Sequence, residues 1–228
     1  SITGASGIVS NTLNSNDVVQ LTAVFSEAVT VNTSGGTPKI SLTVGSTTDS
    51  AVYVSGSGTT DLLFNYTVVL GQNDSNGLSY VANALLLNGG TIKDSLGNVA
   101  VLTAIARTDN PAYKVDTTAP TVNITMSKNT LSSVDTSLVT FTFTEDPGTT
   151  FNWNGTAGDI TLSGGTLSAI SGSGLTRTAT FTPAAATVLL NTTLSVLANS
   201  YSDVAGNLGS TATSPTFSID TTTPRSNS

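Results

Sequence analysis

Three kinds of acidic residue recur in this chain, each at a matching place in a repeated pattern. An acid ends a strand-like run in Phe25-Ser26-Glu27 and again in Phe143-Thr144-Glu145, where Asp146 follows directly. Another opens a turn in Asp94-Ser95-Leu96-Gly97-Asn98 and again in Asp203-Val204-Ala205-Gly206-Asn207. A third, Asp116, precedes Thr117-Thr118-Ala119-Pro120 and returns 104 residues later as Asp220 ahead of Thr221-Thr222-Thr223-Pro224. Gathered at one place such carboxylates would repel by on the order of 1 kcal/mol per close pair even when screened by water, so a cluster of them calls for a cation. Every donor is a hard oxygen, and that set suits Ca2+ better than any transition metal.

Other chemistry is scarce. The 228 residues include no His and no Cys, which removes the commonest general base, the soft metal ligands and disulfides. With only 7 Lys and Arg, no Ser, Asp or Lys has a plausible activating partner for nucleophilic catalysis, and an enzyme is not expected. The same 7 bases against 14 acids give a net charge of −7, which argues against a nucleic-acid partner. No apolar run reaches the roughly 18 residues of a membrane helix and no signal peptide is seen, so membrane insertion is not expected. Trp153, in Phe151-Asn152-Trp153-Asn154-Gly155, could stack on a sugar, but an aromatic beside a turn is more often a plug at the rim of a core. Sequons such as Asn65-Tyr66-Thr67 are expected by chance in so Asn- and Thr-rich a chain, and the threonines of Thr140–Thr144 read as a solvated sheet face.

The elements that must position the acids are strands. Apolar and polar residues alternate with period two over Val18–Phe25, Lys39–Val44, Leu62–Val69, Leu138–Phe143, Ile160–Leu162, Arg177–Phe181 and Phe217–Ile219. Turn-forming clusters such as Asn73–Gly77 and Asn88-Gly89-Gly90 separate them, and no stretch has a helical period; Pro183–Leu190 reads as one short turn at most. Seven or so short strands per hundred residues point to an all-β fold, two tandem immunoglobulin-like β-sandwiches joined end to end by a short linker. The expected layout is domain 1 at residues 1–115, the linker at 116–120, domain 2 at 121–220, and the start of another linker or a tail at 221–228. A repeat of this size reads as a two-domain excerpt of a longer array.

In a sandwich whose consecutive strands run mostly antiparallel, every second connection lies at the same end. That rule sends Glu145, Asp146 and the Asp203–Asn207 loop to the leading end of the second domain, where Asp116 arrives through the linker. The expected ligand set is Asp116, Glu145, Asp146 and Asp203, with the side chain of Asn207 or a loop carbonyl. Glu27, Asp94 and Asn98 form the equivalent and weaker set in the first domain, without a preceding linker acid. Alone, Asp-x-x-Gly-Asn is also good turn chemistry and a single Glu at a strand end is usually just solvated; the recurrence of all three acids favours calcium.

With these residues in hand, the chain resembles the bacterial immunoglobulin-like tandem repeats of large secreted RTX and biofilm-associated adhesins. The resemblance rests on the Phe-x-Glu strand ends, the Ile92–Asn98 loop with its counterpart Tyr201–Asn207, and the Val115–Pro120 linker. It implies calcium at interdomain joints, which carries over by position to Asp116, Glu145 and Asp203, and a spacer role that projects a distal ligand-binding region from the bacterial cell surface. Implied partners are the neighbouring Ig-like repeats of the same chain, with a glycan or other surface ligand as a second reading; the chain itself is expected to be an extracellular monomer. The alternative is a carbohydrate- or host-protein-binding Ig-like module of a secreted or S-layer protein.

Overall fold

The computed structural model describes residues 1–226, so residues 227–228 of the expected tail lie outside the described residues. Twenty strands and no helix form among them, in two compact units, Ser1–Thr118 and Ala119–Ser228. The first unit holds β1 (Ile2–Ser6), β2 (Thr12–Leu13), β3 (Val18–Asn32), β4 (Lys39–Val44), β5 (Thr47–Ser55), β6 (Thr59–Thr67), β7 (Asn73–Asp74), β8 (Leu85–Leu86), β9 (Thr91–Lys93) and β10 (Lys114–Asp116). The second holds β11 (Val122–Met126), β12 (Thr130–Leu131), β13 (Ser137–Phe143), β14 (Ile160–Thr161), β15 (Gly165–Leu167), β16 (Thr176–Pro183), β17 (Val188–Thr192), β18 (Ser195–Val196), β19 (Ala212–Thr213) and β20 (Phe217–Asp220).

Both units follow one plan. In the first, a sheet ordered β1-β3-β6-β5-β4-β8, with β9 on β3, faces β2-β10-β7. In the second, β11-β13-β16-β15 is complemented by β12-β20-β17 and β14-β18-β19. The last strand of each runs parallel to the second, with Val115 opposite Leu13 and Ile219 opposite Leu131. This closing pair ties chain ends together, and the remaining ladders are antiparallel, the architecture of an Ig-like β-sandwich.

Alternation sends one face of each strand into its unit's core. On β13, Val139, Phe141 and Phe143 are buried while Leu138 and Thr142 are exposed; on β6, Leu62, Phe64 and Tyr66 are buried. The second core is centred on aromatics that meet edge to face, Phe143 with Phe151 at 4.8 Å and with Tyr201 at 5.6 Å between ring centroids, a geometry worth about 0.5–1.5 kcal/mol per pair beyond burial. Trp153 is half-buried against this core and its indole N–H donates to the Leu167 carbonyl, 3.2 Å, as expected of a rim plug.

Local differences from the sequence expectation have physical causes. Strand β3 continues past Phe25 to Asn32 because Thr30–Asn32 pair with β9. The strand Thr47–Ser55 was not expected; it doubles back on β4 through a tight turn in which Gly45 takes φ 56° and passes against the Asn73 carbonyl, leaving no room for a Cβ. Val188–Thr192 is a strand and not the tail of a turn, since β20 supplies it with a partner, Leu189 opposite Ile219.

Candidate metal centre

The second unit builds its acids on the aromatic core. Tyr201 is buried and its hydroxyl donates to the Ser210 carbonyl, 3.0 Å, which fixes the chain two residues ahead of Asp203. The loop Asp203–Asn207 then closes on itself: the Asp203 N–H donates to the Asn207 carbonyl, 3.2 Å, and Gly206 supplies the left-handed residue the turn requires at φ 89°. Its carboxylate accepts the N–H groups of Ala205 and Asn207 on Oδ1, 2.8 and 2.9 Å, and the Asn207 side-chain amide on Oδ2, 2.9 Å. Three donors hold one buried carboxylate in a single orientation, and Asp203 is only 6% exposed. Glu145, half-buried two residues past the core residue Phe143, brings a carboxylate oxygen to within 4.8 Å of Asp203's.

Asp146 is turned elsewhere. Its Oδ1 accepts the Gly148 N–H at 2.9 Å and the Arg177 guanidinium at 3.1 Å, and these hold its carboxyl below the usual Asp range, the backbone bond contributing most. Arg177 is the residue that sequence reasoning missed. It stands at the inward place of the alternation Arg177-Ala179-Phe181, is 5% exposed, and also donates to the Gly148 and Gly174 carbonyls. A cation at an inward strand position demands a partner, and that was the available signal.

In the first unit the same loop appears without change of geometry. Asp94 accepts the N–H groups of Leu96 and Asn98 on Oδ1 at 2.9 and 2.8 Å and the Asn98 side-chain amide on Oδ2 at 2.6 Å, with Gly97 at φ 91°. The Asn98 amide, ahead of the backbone donors, keeps the Asp94 carboxyl below its ordinary range. Glu27, Asp94 and Asn98 line one hollow of about 300 Å³.

The linker acids share a geometry too. Asp116 ends β10, and its Oδ1 caps the Thr118 N–H at 3.0 Å; next to it the Thr117 N–H donates to Asn73 Oδ1, 2.8 Å, and the Thr117 hydroxyl to the Gln72 carbonyl, 2.9 Å. Asp220 repeats this cap on Thr222, whose hydroxyl (2.7 Å) and N–H (3.0 Å) draw its carboxyl below the ordinary Asp range. The turn chemistry foreseen for these motifs is therefore present; it also leaves each carboxylate ordered.

No curated protein matches the chain. Residues 116–219, from the linker acid Asp116 to Ile219 on the last strand, match the family model of the bacterial Ig-like domain.

Proposed function

We propose that this chain is a structural extender of a bacterial cell-surface adhesin, in which Ca2+ held by Asp116, Glu145 and Asp203 stiffens the joint between consecutive Ig-like domains. The observation that carries the reading lies within the second unit: Glu145 and Asp203 each offer one carboxylate oxygen, and these oxygens lie within 4.8 Å of each other; Asp116 joins them by its place in the linker. Two anionic oxygens at that spacing, one of them on the buried Asp203 already held by three N–H donors, suit a hard divalent cation. Asp146 is left out of the set because Arg177 holds it.

Calcium sites of extracellular modules have dissociation constants of about 10⁻⁴ to 10⁻³ M. At external calcium tenfold above such a constant the ion adds only about 1.4 kcal/mol, so each sandwich folds without it and the joint is what responds. The role places the chain outside the cell, with neighbouring repeats as its partners. Small-angle X-ray scattering in calcium and in EGTA tests it: a longer, narrower particle in calcium is expected for the parent and no change for Asp116→Ala, whereas identical curves for the parent in both conditions overturn the joint.

A second reading, a glycan-binding module, is favoured by one feature. Asp146, Asn152, Trp153, Asn154 and Arg177 border a hollow of about 560 Å³ that combines an aromatic edge with amide and charged groups. Its test is a glycan-array screen, with Trp153→Ala as the control.

A further inference from the structure

Two segments of the second unit, 146–154 and 170–177, wall the hollow beside Trp153, and each is fixed by its own hydrogen bonds. The first ends in a closed hairpin: the Asp159 N–H donates to the Asn152 carbonyl, 3.0 Å, the Asn154 N–H to the Ala157 carbonyl, 3.1 Å, and Asn154 Oδ1 accepts the N–H groups of Thr156 and Ala157 at 3.0 and 2.9 Å. At the base of the second, Ser171 and Thr178 exchange both backbone bonds at 2.9 Å, and Gly172 and Gly174 take φ 99° and 68° in the turn between them. The Ile170 N–H donates to the Trp153 carbonyl, 3.0 Å, and ties the two walls together. The hollow of about 560 Å³ is thus preformed, and it falls within the about 300–1,000 Å³ of small-ligand sites.

The polar groups along it divide into committed and free. All four terminal N–H groups of Arg177 are committed: Nη1 donates to the Gly174 and Thr176 carbonyls at 2.5 and 3.4 Å, and Nη2 to the Gly148 carbonyl and Asp146 Oδ1 at 3.0 and 3.1 Å. The buried guanidinium therefore cannot receive an incoming anion at those groups without breaking bonds it already makes. The indole N–H of Trp153 is committed to the Leu167 carbonyl, so its ring presents only carbon to a ligand. In contrast, Asp146 Oδ2, the Asn154 amide nitrogen and the hydroxyls of Thr149 and Ser173 have no protein partner among the described residues, and all four residues are exposed. The hollow is left with one anionic acceptor, one amide donor, two hydroxyls and an aromatic surface.

We propose that this hollow binds an uncharged saccharide, with ring C–H groups against Trp153 and hydroxyls shared between Asp146 Oδ2 and the Asn154 amide. The inference rests on the glycan-binding reading above and names the class of glycan. A pyranose carries an apolar C–H face, which suits the negative face of an aromatic ring, and adjacent hydroxyls that each donate and accept. A carboxylate acceptor makes the stronger kind of bond to such a hydroxyl. The same carboxylate repels a uronic, sialic or sulfated sugar, and the net charge of −7 adds to that repulsion. Arg177 is a positioning residue: by holding Oδ1 it leaves Oδ2 as the oxygen that meets the ligand. The site shares no residue with the set Asp116, Glu145 and Asp203, so saccharide binding does not depend on calcium.

An array of neutral oligosaccharides, built of hexoses and N-acetylhexosamines, and of acidic ones, carrying uronic, sialic or sulfate groups, tests the inference when probed with the whole chain in calcium and in EGTA. NMR titration of the best binder then compares two variants. Ser173→Trp plugs the hollow from an exposed position, and Asp146→Asn keeps an oxygen for the Gly148 N–H and Arg177 while exchanging the free acceptor for a donor and removing the charge. The parent is expected to bind neutral members and not acidic ones, equally in calcium and EGTA, with the Trp153 indole signal shifting on titration. Each variant is expected to keep a thermal midpoint close to the parent's and to bind at least about tenfold more weakly, the scale of one hydrogen bond to a charged group; Asp146→Asn should also relax the exclusion of acidic members. A preference for acidic members, binding that EGTA abolishes, or neutral binding that both variants retain overturns the assignment and leaves the glycan reading standing. No binding to any member removes the glycan reading and the inference with it.

Discussion

Asn207 holds the carboxylate of Asp203 from two sides, its backbone N–H on Oδ1 and its side-chain amide on Oδ2, each at 2.9 Å. The backbone bond survives any substitution of Asn207 that keeps the loop; the amide bond does not. Asn207→Ala therefore frees one oxygen of a buried carboxylate, which costs about 1–2 kcal/mol for a bond to a charged acceptor. Urea denaturation in EGTA is expected to show that loss, and calorimetric titration a several-fold weaker calcium affinity. Unchanged affinity would mean that Asp203 needs no orienting partner to serve as a ligand.

Two neighbouring acids are expected to behave in opposite ways. Asp203→Ala should abolish calcium binding in the second unit, since it removes the more buried of the two carboxylates grouped there, Glu145 and Asp203. Asp146→Ala should leave binding within about twofold of the parent, an effect under about 0.5 kcal/mol, because its carboxylate is spent on Arg177 and half of its side chain is exposed. If Asp146→Ala abolishes binding instead, the Arg177 pair opens to admit the ion.

Arg177 itself is a stability residue. Its guanidinium is nearly buried, and removing it strands the Gly174 and Gly148 carbonyls that it serves along with Asp146. Arg177→Ala should cost about 3 kcal/mol, the scale of a buried pair broken from one side, while Asp146→Ala, which leaves the guanidinium its two carbonyls but removes its counter-charge, should cost less. Chemical denaturation of both variants in EGTA checks the ratio.

The division between these acids shows what a sequence exposes and what it hides. Alternation in Val18–Phe25 or Leu138–Phe143 is local, and it marks the buried faces because period two is written in adjacent residues. The turn acids Asp94 and Asp203 were legible because their partners, Asn98 and Asn207, stand four residues away. Glu145 and Asp146 are adjacent and chemically alike, and what separates them is a cation 31 residues further on. Strand Val188–Thr192 was hidden for the same reason: Pro183 and three alanines break its local pattern, and only its pairing with β20 makes it a strand.

Asp159 gives the clearest pH effect. It is 5% exposed, and burial raises its carboxyl above the ordinary Asp value, against the opposing bond from the Asn152 N–H at 2.5 Å. An acid whose folded value lies above its unfolded one binds more protons folded than unfolded between the two. Its stabilising contribution is complete below the unfolded value near 3.8 and is lost as pH rises through the raised folded value. The hydrogen-bonded acids Asp94, Asp146 and Asp220 have lowered values and act in the other direction, their contribution present above the unfolded value and lost as pH falls through the folded one. Asp159→Asn keeps an oxygen for the Asn152 N–H while removing the buried charge. It is expected to raise the thermal midpoint at pH 7 by a few degrees, ~4 °C for each kcal/mol in a domain of this size, with the gain vanishing below pH 4. Thermal melts of parent and variant at pH 3.5, 5 and 7 measure the difference; a gain that persists unchanged at pH 3.5 would show that the substitution acts through packing and not through the charge.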